Sequence, residues 1–159
     1  MKEMLFYRCE RCGNMVALVK KGGGELTCCG QAMTKLQANT TDASNEKHVP
    51  VAEYEKGKVK VAVGSVPHPM LVEHHIEWIA LVAGDKFEMA YLKPGVEAKA
   101  EFFCPMGGEE EIFAGKDDEV VPNCEGKPCN YVVKGNPITE ITVYEYCNLH
   151  GLWQSKLSL

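Results

Sequence analysis

No apolar run in this 159-residue chain approaches the roughly 18 residues that a membrane span needs. The opening residues, Met1-Lys-Glu-Met-Leu-Phe-Tyr-Arg8, lack the apolar core of a signal peptide. An excess of basic residues is missing too. Seventeen Lys and Arg against twenty-two Asp and Glu leave a net charge of −5, which argues against nucleic acid or an anionic membrane as partner. No stretch carries a convincing helical period. These absences lead to an expectation of a cytoplasmic, reducing setting, where cysteines are more often metal ligands than disulfides. The length suits one ordinary domain, or a small one joined to a mid-sized one.

Cysteine, by contrast, is abundant: there are eight. Four fall in residues 1–36, as Cys9-Glu-Arg-Cys12-Gly13 and Cys28-Cys29-Gly30. A Cys-x-x-Cys-Gly knuckle turns both sulfurs toward one centre, with the glycine supplying the unusual dihedrals. Adjacent cysteines make a strained disulfide, because their Cα atoms lie only about 3.8 Å apart. Four thiolates around one tetrahedral ion is the better reading, and on spacing alone it suits zinc or iron. A piece this small builds little core, so the metal is expected to supply much of its folding energy. Val16–Val19 and Glu25–Thr27, parted by Lys20-Lys-Gly-Gly-Gly24, read as a short hairpin.

Residues 37–45 are polar and read as a linker or long loop. Beyond them come period-two strands. Val59, Val61 and Val63 alternate with Lys58, Lys60 and Ala62; Ile76, Trp78 and Ala80 share a face; Phe87, Met89 and Tyr91 follow a Gly84-Asp85 turn; Ile141, Val143 and Glu145 lead to Cys147. Short strands cut by Gly, Pro and Asp turns predict an all-β sandwich or barrel.

Histidine is scarce: five residues, at 48, 68, 74, 75 and 150. Four of them sit in three compact motifs, Glu46-Lys47-His48-Val49-Pro50, His68-Pro69-Met70 with His74 six residues after the first, and Cys147-Asn-Leu-His150-Gly-Leu-Trp153. Four imidazoles and one thiolate make a complete set for one metal ion. His75 neighbours His74, and successive strand residues face opposite ways, so His75 is read as a non-ligand. Trp78, Tyr144, Tyr146 and Trp153 are read as core or pocket wall.

The three motifs, in this order, resemble the iron-site signature of superoxide reductases, and the N-terminal cysteines narrow the resemblance to the two-iron desulfoferrodoxin type. The resemblance implies a rubredoxin/desulforedoxin-like domain at 1–36, with iron on Cys9, Cys12, Cys28 and Cys29. After the linker at 37–45 it implies an immunoglobulin-like β-sandwich at 46–159. It also implies equatorial ligands His48, His68, His74 and His150, axial Cys147, Glu46 binding the ferric ion, and Lys47 drawing in superoxide. A rubredoxin-like electron donor and a homodimer are expected on the same ground. Five such ligands point to a redox metal, since zinc prefers four.

The segment at about 104–137 departs from the family pattern and reads as an insertion. It holds an acidic patch (Glu109–Glu111, Asp117–Glu119) and Cys104, Cys124 and Cys129. These thiols read as free, as one disulfide plus one, or as part of a further centre, and an inserted hairpin with incidental thiols is the favoured reading. Two rival functions stand beside the enzyme: a non-catalytic iron electron carrier, and a structural zinc protein acting as a binding module.

Overall fold

The structure is a computed structural model. It describes residues 4–104 and 137–159, and the backbone of two strands between them, at 109–114 and 129–134. The N-terminal region forms β1 (Leu5–Arg8), β2 (Met15–Leu18), β3 (Thr27–Cys28), β4 (Gln31–Ala32) and β5 (Thr34–Lys35), with β1 between β2 and β5. The expected hairpin is not the one that forms. β2 pairs with β1, and β3 pairs with β4. The reason lies in the cysteine turns. The knuckle at Cys9–Gly13 reverses the chain directly after β1, and Cys29-Gly30 (φ 52° and 74°) reverses it directly after β3.

A single helical turn, α1 (Asn45–His48), then leads into β6 (Pro50–Glu55), β7 (Lys58–Val63), β8 (Ile76–Ala83), β9 (Lys86–Tyr91) and β10 (Lys99–Phe103). β11 (Glu109–Ala114) and β12 (Cys129–Lys134) pair with one another in antiparallel fashion. β13 (Glu140–Cys147) and β14 (Gly151–Ser158) close the chain. A three-stranded sheet, β10-β7-β6, faces a four-stranded one, β14-β13-β8-β9, and the seven strands make the immunoglobulin-like sandwich.

The inner core holds Val59, Val61, Val63, Ile79, Leu81, Phe102, Ile141 and Val143, the apolar positions of a period-two pattern. The outer face of the four-stranded sheet is also buried. Trp78, Tyr144, Tyr146 and Leu152 pack there against Phe6 of β1, whose ring centroid lies 5.1 Å from that of Trp78 and 5.2 Å from that of Tyr144. Burial on both faces is why β8 reads as an almost unbroken apolar run.

Ile76 does not share the face of Trp78 and Ala80. The register shifts between Tyr146↔Trp78 and Cys147↔Ile76, so Ile76 turns into the inner core while Trp78 turns outward. This bulge sits beside Cys147, where it aims the chain end toward the site.

The polar stretch 37–45 lies along β14, the edge of its sheet. Asn39 donates its backbone N–H to Leu152 O (3.0 Å) and its Nδ2 to Gln154 O (3.1 Å), and its Oδ1 accepts from Gln154 N (2.8 Å). These bonds satisfy edge groups that a free linker would leave open. Among the described residues no helix is long and apolar enough to cross a membrane.

Candidate metal centre

Three segments converge at one end of the sandwich. α1 brings His48, the loop between β7 and β8 brings His68 and His74, and the tight β13–β14 turn brings Cys147 and His150. Five potential ligand atoms, one from each, all lie within 4.8 Å of one another. His75 is outside this set, though not by strand alternation, since His74 and His75 both lie in the loop before β8.

The four rings stand in a square. Neighbours around it, His48–His68, His68–His74, His74–His150 and His150–His48, have centroids 4.6–4.9 Å apart and planes 76–85° apart. His48 and His74, across the square, are 6.3 Å apart and inclined by only 25°. That separation is close to the diagonal of a square of such a side.

Hydrogen bonds fix the tautomers. His48 Nδ1 lies 2.8 Å from Ser44 O, and His68 Nδ1 lies 2.5 Å from Pro69 O. A carbonyl only accepts, so both Nδ1 atoms carry hydrogen and both Nε2 atoms present bare lone pairs. Those two Nε2 atoms are 3.2 Å apart, and His48 Nε2 is 2.9 Å from His150 Nδ1. The two bare Nε2 lone pairs of His48 and His68 repel, unless a cation lies between them. Metal–nitrogen bonds of about 2.1 Å at right angles place neighbouring nitrogens about 3.0 Å apart, which this arrangement matches. His74 Nε2, buried and without a hydrogen-bond partner among the described residues, points the same way.

Cys147 Sγ stands 3.7 Å from His68 Nε2 and 3.6 Å from His150 Nδ1. It is fully buried, and burial raises its thiol while the amides of Leu149 and His150 pull it down. Burial lowers His48 and His74, and takes His68 down to about 4, so these imidazoles are neutral and ready to ligate at pH 7. The donor set therefore fits a metal that accepts a square of imidazoles with a soft thiolate on its axis, which is the geometry expected of iron rather than tetrahedral zinc.

Glu46 and Lys47 occupy α1 beside His48; Glu46 is exposed and Lys47 half-buried. Burial is the main cause of the lowering of His48 and His74, and the Lys47 charge adds a smaller push in the same direction. Trp153 stacks on His48 with centroids 4.9 Å apart, the pocket-wall role expected of it.

A second cluster lies in the N-terminal region, where the sulfurs of Cys9, Cys12, Cys28 and Cys29 come within 4.8 Å of one another. Cys12 and Cys28 are 3.6 Å apart and Cys28 and Cys29 3.9 Å. A disulfide needs about 2.05 Å. Four sulfurs at about 2.3 Å from a tetrahedral ion are about 3.8 Å apart, so the cluster fits one ion held by four thiolates. The amides of Cys12 and Arg11 draw Cys9 down to about 7, while hydrogen bonding to Cys12 and Cys28 holds Cys29 up to about 12. One thiolate forms readily and the next is resisted, a conflict that a bound cation relieves.

Cys104 is a free thiol, fully buried in the inner core and raised by burial. Cys124 and the side chain of Cys129 lie outside the described residues.

Three features carry no signal in spacing alone. Gly64 (φ 78°) lies under α1, where a Cβ would come 2.5 Å from Val66 O, 2.6 Å from Glu46 O and 2.7 Å from Lys47 Cα. Glu145, paired with Trp153 across β13 and β14, is fully buried. Its carboxylate oxygens have no hydrogen-bond partner among the described residues, and burial raises it to about 9, so it is neutral. Asn148 ties the cysteine turn to the neighbouring loop. Only a polar residue inside a ligand motif hinted at the last.

A sandwich with a square of imidazoles over a buried thiol, beside a separate four-cysteine cluster, defines a protein built for two mononuclear metal ions. The chain belongs to the desulfoferrodoxin family: the family's main model matches residues 40–156, and that of its N-terminal domain matches residues 1–36. It is 40% identical to a desulfoferrodoxin homolog of Archaeoglobus fulgidus over 96% of each chain. A desulfoferrodoxin of Nitratidesulfovibrio vulgaris is 39% identical over 94% of each chain. A superoxide reductase of Pyrococcus horikoshii is 33% identical, covering 80% of this chain and 99% of that one. Among solved structures, the superoxide reductase from Treponema pallidum matches with a TM-score of 0.62 at 26% identity, covering 97% of this chain and 99% of that one.

Proposed function

We propose that this chain is a superoxide reductase. Superoxide takes up one electron and two protons at an iron held by His48, His68, His74, His150 and Cys147, leaving as hydrogen peroxide. The observation that carries the reading is the square of neutral imidazoles closed by a buried cysteine, in a member of the desulfoferrodoxin family. Relatives named superoxide reductase support it.

Iron held by these five residues would supply the electron, and a Cys147 thiolate would add electron density to it. The chain's own residues do the rest. Ser44 O and Pro69 O hold His48 and His68 in the ligating tautomer. Lys47 attracts the superoxide anion against the net charge of −5 and orders water for protonation. Glu46, exposed on the same turn, would serve as a further ligand to the oxidised metal.

Cys9, Cys12, Cys28 and Cys29 hold a second iron. The proposed division is 1–36, a linking stretch at 37–45, and 46–159 with an insertion at about 104–137. A cytoplasmic homodimer and a rubredoxin-like donor complete the proposal.

The test is to load the chain with iron, reduce it and expose it to pulse-generated superoxide. A fast second-order reaction that yields one peroxide per electron is expected. Slow reaction with superoxide, alongside ready electron exchange with other carriers, would favour the non-catalytic electron carrier instead.

A further inference from the structure

We propose that Asn148 is a positioning residue that locks the turn bearing Cys147 and His150 onto the peptide bonds flanking His74. The inference rests on the ligand assignment above and goes beyond it.

The observation is a set of three hydrogen bonds between segments more than seventy residues apart. Asn148 Oδ1 accepts from His75 N–H at 2.9 Å, and Asn148 Nδ2 donates to Glu73 O at 3.0 Å. The Asn148 backbone N–H donates to His75 O at 3.1 Å. In a parallel β-ladder a residue accepts from the N–H after its partner and donates to the C=O before it. The Asn148 side-chain amide reproduces that pattern, with His74 as the partner. Only a carboxamide of this length offers one acceptor and one donor in a single rigid plane.

The consequence follows from what each segment carries. The loop holding His74 is braced on its other side by the pair Leu71 N–His74 O and His74 N–Leu71 O, at 2.9 and 3.2 Å. Asn148 fastens the opposite side to the residue directly after Cys147. The lateral position of His74 in the square and the position of Sγ on its axis are thus fixed to one another before any metal arrives. The same turn directs the Leu149 and His150 amides at Cys147 Sγ, so its placement also sets how those amides meet the thiolate. Partners of this kind, behind the ligands, typically change metal affinity by about 10–100-fold when removed.

The test compares the full chain with Asn148→Ala, which loses both side-chain bonds, and Asn148→Asp, which keeps the acceptor and loses the donor. Cys147→Ser is the reference. Three quantities are read in a Cys12→Ser background, which lacks the N-terminal centre: iron affinity of the histidine site by chelator competition, the energy of its thiolate-to-iron absorption band, and amide exchange at His75 in the metal-free chain. Asn148→Ala is expected to bind iron about 10–100-fold more weakly with a displaced band, and to exchange faster at His75. Asn148→Asp is expected to displace the band while His75 stays protected. If both variants keep the wild-type affinity and band, even with a lowered Tm, Asn148 merely braces the fold and the inference is overturned. If the histidine-site band survives Cys147→Ser in the Cys12→Ser background, the ligand assignment is overturned, and the lock with it.

Discussion

Replacing Gly64 by alanine tests whether the turn bearing Glu46, Lys47 and His48 is held by close backbone packing. Gly64 and Gly57 share the same backbone angle, φ 78°, but not the same surroundings. At Gly57 a Cβ meets only a side-chain atom of Phe103, at 3.9 Å. At Gly64 it meets three backbone atoms at 2.5–2.7 Å. The left-handed conformation costs a non-glycine residue about 1–2 kcal/mol, and both variants bear that. To restore an ordinary contact of about 3.5 Å, the Gly64→Ala variant must also push α1 and the Val66 carbonyl back by about 1 Å. The backbone bonds Gly64 N–Val49 O and Val66 N–Glu46 O, at 3.1 and 2.9 Å, must stretch with it. A total loss of about 3 kcal/mol is expected for Gly64→Ala, against about 1–2 kcal/mol for Gly57→Ala. A displacement of about 1 Å at groups that meet the substrate lowers rates by up to about a hundredfold. Denaturant unfolding and pulse-generated superoxide measure the two effects. The reasoning fails if the two variants are equally destabilised and both react at the wild-type rate.

Three further outcomes are expected. Cys12→Ser should remove the N-terminal centre, seen as loss of its visible absorption, and leave superoxide reduction intact because the two ligand sets share no residue; loss of activity would show the centres to be coupled. Lys47→Ala should keep its iron but capture superoxide at least about tenfold more slowly, with a weaker or reversed salt dependence, and an unchanged rate and salt slope would make Lys47 an ordinary surface charge. The metal-free chain should lose stability as pH falls from 6.5 toward about 4. Burial holds His68 down at about 4 and lowers His48 and His74, so below 6.5 the unfolded chain binds protons that the folded one refuses. A Tm independent of pH across that window would contradict the burial of these rings.

Much of the sandwich was legible, because period-two alternation is a local property. Val59, Val61 and Val63 announce an inner face without reference to any other strand. Ile76 misled the same reading, since a bulge is set by its pairing with Cys147 and leaves no mark on alternation. The N-terminal hairpin was misread for a related reason: the metal-binding turns decide where the chain reverses, and they outweigh the glycine run at 22–24. The five candidate ligands were legible because rare residue types fall in compact motifs. The square they form was implied only by the resemblance and not by the spacing, because ring orientation depends on carbonyls such as Ser44 O and Pro69 O. Asn148 and Glu145 act through contacts that only the folded chain creates, one across two loops and the other by burial within an apolar core.

The most direct measurement of the central claim is the reaction of reduced, iron-loaded Cys147→Ser with pulse-generated superoxide, beside the wild type. Serine is a poor substitute for a soft thiolate, so the variant is expected to lose the electron density that the cysteine supplies even where iron remains bound. The expected result is peroxide formation by the wild type, one per electron delivered, and its near-complete loss in the variant, while the absorption of the N-terminal centre persists. Near-normal peroxide formation by Cys147→Ser would contradict the account.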